Sequence, residues 1–265
     1  MPIPEAVARV ACFPFSDTPD PPAGHPDRRI DIAGIPIGIG AGLPDAIVFP
    51  EHVETTEIAS VVDEIRDALR REGRARGVWF VPEAASPPGL AARLQELGLT
   101  PYDEAPYEAR FAAMAAIEPP PAGPPDVDVH PAENLEEFVE AQRVTAQAFG
   151  MDADLTAAFE ARAAVVWPFR DERWPTFVAV VDGGVVGAAS VVFGNTAGFL
   201  GGSATHPDYR GRGVYTSLIR ARWDAAVARG TAALTVGAGS MSRPILDGVG
   251  FEVVGWTDCL RDDLD

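Results

Sequence analysis

The chain contains no lysine: all 21 of its basic residues are arginine. With abundant alanine, glycine and proline, that is the imprint of a GC-rich coding sequence rather than of a function. Acidic residues outnumber basic ones, 39 to 21, for a formal net charge of −18. So acidic a balance argues against nucleic acid as a partner. It suits solubility and is compatible with a cationic substrate such as an amine. The chain has only two cysteines, Cys12 and Cys259, near opposite ends. Buried or free thiols in a reducing cytoplasm are the simplest expectation for them. Four scattered histidines (His25, His52, His130, His206) offer no metal-ligand spacing, so no metal is expected. No apolar run reaches 18 residues, so no membrane span is expected. The first residues, with Glu5 and Arg9 among apolar neighbours, do not read as a signal peptide. The expectation is a cytoplasmic globular protein of one or two domains.

What is present divides at Glu118-Pro-Pro-Pro-Ala-Gly-Pro-Pro125, a run that can continue neither a helix nor a central strand. The expected organisation is a first domain over residues 1–118, a proline-rich linker over 119–125, and a second domain over 126–265. In the second segment, patterning predicts a short strand at 127–130 and helices at 134–149 and 154–165. A hairpin follows, with strands at 176–181 and 185–193 around Asp182-Gly183-Gly184. Next come a strand at 198–205, a helix ending at Gly230, a buried strand at 233–238 and a short helix from Pro244 to Gly250. Residues 251–256 and the tail to Leu264 are expected to supply the last strands.

The most informative stretch is Gly202-Ser-Ala-Thr-His-Pro-Asp-Tyr-Arg-Gly-Arg-Gly-Val-Tyr-Thr-Ser-Leu-Ile-Arg-Ala-Arg222, where an apolar strand ends and a glycine-arginine loop opens a helix. Successive backbone N–H groups at such a helix start can wrap a phosphate, and the helix dipole favours the negative charge. Glycine allows close approach of the backbone, and arginine adds charge-assisted contacts. From His206 to Arg222 there are four arginines and one aspartate, a basic island in an acidic chain. The bland reading is a glycine-rich turn with solvated arginines. The order of elements around the loop favours the anion site.

That order, together with two motifs, resembles the GCN5-related N-acetyltransferase superfamily over the whole of residues 127–265. Thr205-His-Pro-Asp-Tyr-Arg-Gly-Arg-Gly213 is similar to the family's strand end and pyrophosphate loop, and Asp247-Gly-Val-Gly-Phe251 to its signature near the last helix. The resemblance implies an α/β fold with a mixed, mostly antiparallel central sheet flanked by helices. It implies acetyl-CoA as co-substrate, with no metal, held by Ser203, Ala204, Thr205, Arg210, Gly211, Arg212, Gly213, Val214 and Tyr215. The pantetheine arm would pair with the edge of the 203–205 strand. Paired glycines, Gly201 and Gly202, would either let that strand splay or mark a bulge. The implied reaction is direct attack of an acceptor amine, carried by a small molecule or a protein, on the thioester, with strand N–H groups stabilising the oxyanion. The implied partners are acetyl-CoA and an amine, neither nucleic acid nor membrane, for a monomer or homodimer.

This chain departs from the family pattern at three places. Tyr215 stands where the loop often ends in Gly or Ala. Leu246 stands where many members carry a tyrosine that protonates the leaving thiolate, and Ser240 where an asparagine is often found. Ser240, Ser242 and Tyr215 remain as candidate proton carriers, and Asp262, Asp263 and Asp265 as candidate bases. The missing acid keeps a second reading open, a non-catalytic acyl-CoA-binding sensor or scaffold. Trp167, Phe169, Trp174 and Phe177, with the charged run Arg170-Asp-Glu-Arg173, would line an acceptor pocket or pack in the core, and packing is the expectation for most of the aromatics.

The first segment carries a weaker echo: a strand at 46–49, a helix at 58–71, a strand at 78–81, and a helix with Leu90, Leu94 and Leu97 that ends at Gly98-Leu99. The span from Val48 to Leu99 is 51 positions, against 46 from Thr205 to Phe251. Where the glycine-rich loop would stand, the chain has Glu51-His-Val-Glu-Thr-Thr-Glu57, which would repel a pyrophosphate. The first segment thus reads as a degenerate second copy in a tandem chain, with an unrelated α/β domain as the other reading.

Overall fold

Local sequence places most element ends. Asn134 caps a helix by accepting from the Glu137 N–H at 2.9 Å, Asp152 does the same for Leu155 at 2.8 Å, and Gly150 ends the first of these helices at φ 65°. Asp182 and Gly183 both have positive φ, which makes the tight turn whose twist suits a two-residue hairpin. The computed structural model describes residues 1–264. In chain order, the first half contains α1 (Glu5–Cys12), β1 (Arg28–Ile32), β2 (Ile35–Ile39), β3 (Asp45–Val48), α2 (Ile58–Arg71), β4 (Arg76–Pro82), α3 (Leu90–Glu96), β5 (Thr100–Pro101) and β6 (Arg110–Ala116). The second contains β7 (Asp128–Pro131), α4 (Leu135–Phe149), α5 (Ala153–Val166), β8 (Thr176–Val181), β9 (Gly184–Phe193), β10 (Gly198–Thr205), α6 (Val214–Ala228), β11 (Leu234–Ala238), α7 (Arg243–Gly248) and β12 (Glu252–Asp263). Among the described residues, no helix is long and apolar enough to cross a membrane.

The strands form one sheet in the order β1-β2-β3-β4-β12-β6-β11-β10-β9-β8-β7, with β5 added on β12. Pairs β3–β4 and β10–β11 are parallel, each bridged by a helix, α2 or α6, and the other pairs are antiparallel. The fold is therefore the expected mixed, mainly antiparallel sheet flanked by helices. At its centre the two halves exchange strands. The C-terminal β12 pairs with β4 of the first half from Thr257 to Asp263, and β6 of the first half pairs with β11 of the second. β6 and β12 pair with each other, closing the seam. Asp17 adds a polar tie, accepting from the N–H groups of Asn195, Thr196 and Ala197 at 2.9–3.2 Å in the turn before β10.

The last residues correct an expectation: 252–263 form a single twelve-residue strand, not several. A register shift between Val253 and Gly255 takes up the irregularity. A side chain at Gly255 would come within 2.8 Å of Cys12 Sγ, so α1 packs against the strand at this point. Cys12 and Cys259 are both buried free thiols. Burial pushes the Cys259 thiol up to about 12, so it is inert at neutral pH.

The proline-rich run joins the halves without being a free spacer. The Pro120 carbonyl accepts from Arg220 of α6 at 3.0 Å, and Gly123 lies against Ser217 so closely that a Cβ there would overlap the Ser217 side chain. Because neither half closes its sheet alone, cleavage at the exposed Pro121-Ala122 bond should leave two fragments that co-elute on gel filtration and melt in one transition. Separate transitions, or separation without denaturant, would contradict the exchanged-strand seam.

Candidate active site

β10 and β11 are paired only from Gly198–Leu234 to Leu200–Val236. Beyond Leu200 they part, although β10 continues to Thr205 and β11 to Ala238. The other edge of β10 stays on β9, with a register shift between Gly201 and Ala204 and Gly202 in the left-handed region at φ 50°. Both readings of the paired glycines hold together: they mark a bulge, and the bulged strand leaves its parallel neighbour. The result is a cleft whose one wall is the unpaired edge of residues 201–205, including Ser203, Ala204 and Thr205.

A turn at Pro207–Tyr209 leads from this edge to the start of α6. Gly211 and Gly213 take φ of 73° and 77°, a conformation costly for residues with a side chain. Among the described residues, the N–H groups of Gly211, Arg212, Gly213, Val214, Tyr215 and Thr216 donate to no backbone or side-chain acceptor, and the first helical bond is made by Ser217 N–H to the Gly213 carbonyl at 3.0 Å. Six consecutive free donors at the positive end of a fifteen-residue helix make an anion cradle. The two arginines are less free than expected. Arg210 donates to the Ala148 carbonyl at the end of α4 at 3.0 Å, and Arg212 lies 4.9 Å over the Tyr209 ring, exposed. Arg210 therefore ties the end of α4 to the loop, and the donors left free there are mainly those of the backbone.

Arg222, the last residue of the basic stretch, is fully buried beneath the bulge. Its Nε donates to the Leu218 carbonyl at 2.9 Å, and its Nη1 to the Ser190 carbonyl at 3.0 Å and to Ser203 Oγ at 2.9 Å, while Nη2 has no partner. Burial pushes the guanidinium down to about 10, still protonated at neutral pH, and no carboxylate stands among the charges acting on it. A buried cation without a counter-ion is expensive. Its place here gives the cleft floor a fixed positive charge. Sequence reading counted Arg222 only as part of the basic island, since burial of one arginine on an amphipathic helix has no sequence signal.

The proton-carrier candidates fare unevenly. Leu246 is wholly buried in the second-half core, so no acid stands at that position. Ser240 is exposed, and its N–H and Oγ both donate to the Glu108 carboxylate, at 2.7 and 3.1 Å. Ser242 Oγ donates to the Gly239 carbonyl at 3.4 Å. Tyr215 is half-buried in the first turn of α6, and burial raises its phenol, which stays neutral. Two of the three C-terminal carboxylates are engaged elsewhere. Asp262 is buried in an ion pair with Arg66 at 2.8 Å, and Asp263 pairs with Arg261 at 2.8 Å, both on the part of β12 that runs beside β4. Strand exchange has carried them into the first half, away from the β10 cleft. Asp265 lies outside the described residues. Glu108 was missed, because only the fold brings this first-half loop to the end of β11.

Beside the bulge, a cavity of about 640 Å³ is bounded by Gly202, Ser190 and the α4 and α5 helices. Trp167, Phe169 and Trp174 line it, contrary to the expectation that most of the aromatics pack in the core, and Phe177 is the one buried there. Of the charged run, Arg173 chelates Asp171, holding that carboxyl below its ordinary range, and Arg170 stacks 4.5 Å over Trp167. The Trp174 Nε1 is buried without a hydrogen-bond partner.

Residues 135–241, which include the bulge, the donor loop and α6, match the model of the acetyltransferase (GNAT) family. The match places a GNAT acetyltransferase-family domain at residues 135–241, not over the whole chain. The whole fold is similar to that of a GCN5-related N-acetyltransferase from Kribbella flavida, at 18% identity over 97% of this chain and 95% of that one, with a TM-score of 0.68. It is also similar to a tandem GNAT protein from the clavulanic acid biosynthesis pathway, at 18% identity over 99% and 89% of the two chains, with a TM-score of 0.60. A functionally unknown conserved protein from Staphylococcus epidermidis covers 91% of this chain and 94% of its own at 11% identity, with a TM-score of 0.60. The sequence matches no curated protein.

The two loop glycines separate backbone strain from crowding. A methyl at Gly211 meets nothing within 4 Å, whereas one at Gly213 would lie 2.6 Å from Pro124. Gly211→Ala should cost about 1–2 kcal/mol of unfolding free energy in urea, from the left-handed backbone alone. Gly213→Ala should cost clearly more, and equal costs would show that the Pro124 contact is not tight.

Proposed function

We propose that the protein transfers an acetyl group from acetyl-CoA to the amine of a small-molecule acceptor. The observation that carries this reading is the conjunction of a parallel strand pair that parts after Leu200 with six free N–H donors at the start of α6. The donor loop fits a pyrophosphate, and the unpaired edge of residues 201–205 fits an extended amide-bearing arm by strand addition. The acceptor amine reaches the thioester from the side of the aromatic cavity next to Gly202. The net acidity of the chain favours a cationic acceptor over an anionic one. The work is done in the cytoplasm, where both buried thiols stay reduced.

Leu246 leaves the departing thiolate without the tyrosine found in many relatives of this family. We infer that Arg222 compensates in part, because its charge and its hydrogen bond to Ser203 Oγ hold the bulge and stabilise negative charge developing above it. A general acid is worth roughly 10²–10⁴-fold, so a modest turnover is expected. The first half, residues 1–118, is a degenerate copy that contributes β6 and cavity walls. Its acidic 51–57 segment, with Glu51 ion-paired to Arg9, offers no anion cradle. Leu246 favours one second reading, a CoA-binding sensor that does not turn over.

Acetyl-CoA at a hundred times its Kd should stabilise the fold by about 2.7 kcal/mol, read as a rise in Tm. Gly211→Asp should abolish that rise; a rise that survives would place the phosphates elsewhere, and no rise in the unaltered protein would sink both CoA readings. Release of free CoA thiol with a panel of amines separates enzyme from sensor. Arg222→Met should lower kcat by roughly 10–100-fold with little change in acetyl-CoA affinity. An unchanged kcat would remove Arg222 from the chemistry.

A further inference from the structure

A second cavity, of about 860 Å³, lies between the first-half sheet and α5 of the second half. It adjoins the aromatic cavity: Asp27, Phe159, Trp174 and Val192 line both. Its walls are apolar, set by Phe15, Phe49, Ile47, Leu155 and Phe199. Its three arginines are already engaged, Arg28 with Glu72, Arg29 with Asp20, and Arg76 with Asp45 and Tyr102. At the shared wall Arg162 is paired with Asp27. No guanidinium is left over for a phosphate or carboxylate, so an anionic ligand is disfavoured.

The polar end of the cavity is different. Asp45, at the start of β3, has its Oδ1 3.5 Å from Arg76 Nε, and both atoms are buried without a hydrogen-bond partner among the described residues. Burial outweighs Arg76 and holds the Asp45 carboxyl above its ordinary range. The Asp45 side chain is 18% exposed, so it retains unused acceptor capacity towards the cavity.

We propose that this cavity receives the body of the acceptor, and that the acceptor is an amine on an elongated apolar, aromatic-sized frame whose far end carries a hydrogen-bond donor for Asp45. The amine end lies beside Gly202 in the smaller cavity, the frame passes Phe159 and Trp174, and the far donor ends at Asp45. This rests on the acetyl-transfer reading for the role of the amine, whereas binding of the frame does not. Short alkylamines, amino sugars and peptides leave the apolar walls uncovered and are poor acceptors.

The test uses the full chain and three probes: butylamine, 4-phenylbutylamine and 4-(4-hydroxyphenyl)butylamine. Calorimetric binding without acetyl-CoA should favour 4-phenylbutylamine over butylamine by roughly tenfold or more, the worth of burying a phenyl group. The hydroxyl should add roughly a further threefold to tenfold, lost in Asp45→Ala, which removes the acceptor. Ala158→Trp, which fills this cavity from α5 without lining the smaller one, should abolish the preference for the long amines and leave the acetyl-CoA Tm rise intact. Equal binding of all three amines, or a preference that survives Ala158→Trp, would overturn the proposal. Should the long amines bind as described without being acetylated, the site stands and the acetyl-transfer reading falls. Should butylamine be acetylated as efficiently as the long amines, the transfer reading stands and this one falls.

Discussion

The pairing of β6 with β12 at the middle of the sheet is the constraint on which the rest depends. Each strand ends one half of the chain and lies against the other half, so neither half has a complete sheet without its partner. The seam fixes the two parallel pairs, β3–β4 and β10–β11, on opposite sides of one continuous surface. Both cavities exist because of that fixed relation: each is lined from both halves. Two halves joined only by a proline-rich linker would hold no such cavities in register.

Within that frame, the site works by withholding partners. β10 gives up its parallel neighbour after Leu200, the start of α6 leaves its N–H groups free, and Arg222 is buried with no carboxylate. Each is a local cost, and all three lie around one cleft. The loop offers N–H donors and Arg222 a cation, while the unpaired edge of β10 offers both N–H and C=O groups. Free donors and a buried cation are thus gathered at one cleft, inside a chain whose net charge is −18.

Elements whose signals are local were legible. Helix α2 runs over the residues that its Ile58, Val61, Val62, Ile65 and Leu69 stripe requires, all of them buried. β8, β9 and β10 fall between their turn residues. β6 escaped notice because Phe111-Ala-Ala-Met-Ala-Ala116 is rich in helix formers, and only burial between two neighbouring strands makes it extended. The β1–β2 hairpin was also overlooked. Its Ala33-Gly34 turn has positive φ at both residues and joins alternating isoleucines, so its signal was present.

By itself the sequence determined the donor loop, the bulge glycines, the helices beside them and the absence of an acid at Leu246, because each depends on residues a few positions apart. Only the tertiary structure decided which strand closes which half, and with it the fate of distant side chains. It sent Asp262 to Arg66 rather than to the cleft, brought Glu108 to Ser240, buried Arg222 and joined two cavities across the seam. The physical reason is that strand pairing has no preference for neighbours in sequence. Backbone hydrogen bonds and apolar burial reward whichever partner completes the sheet, and here that partner comes from the other half of the chain.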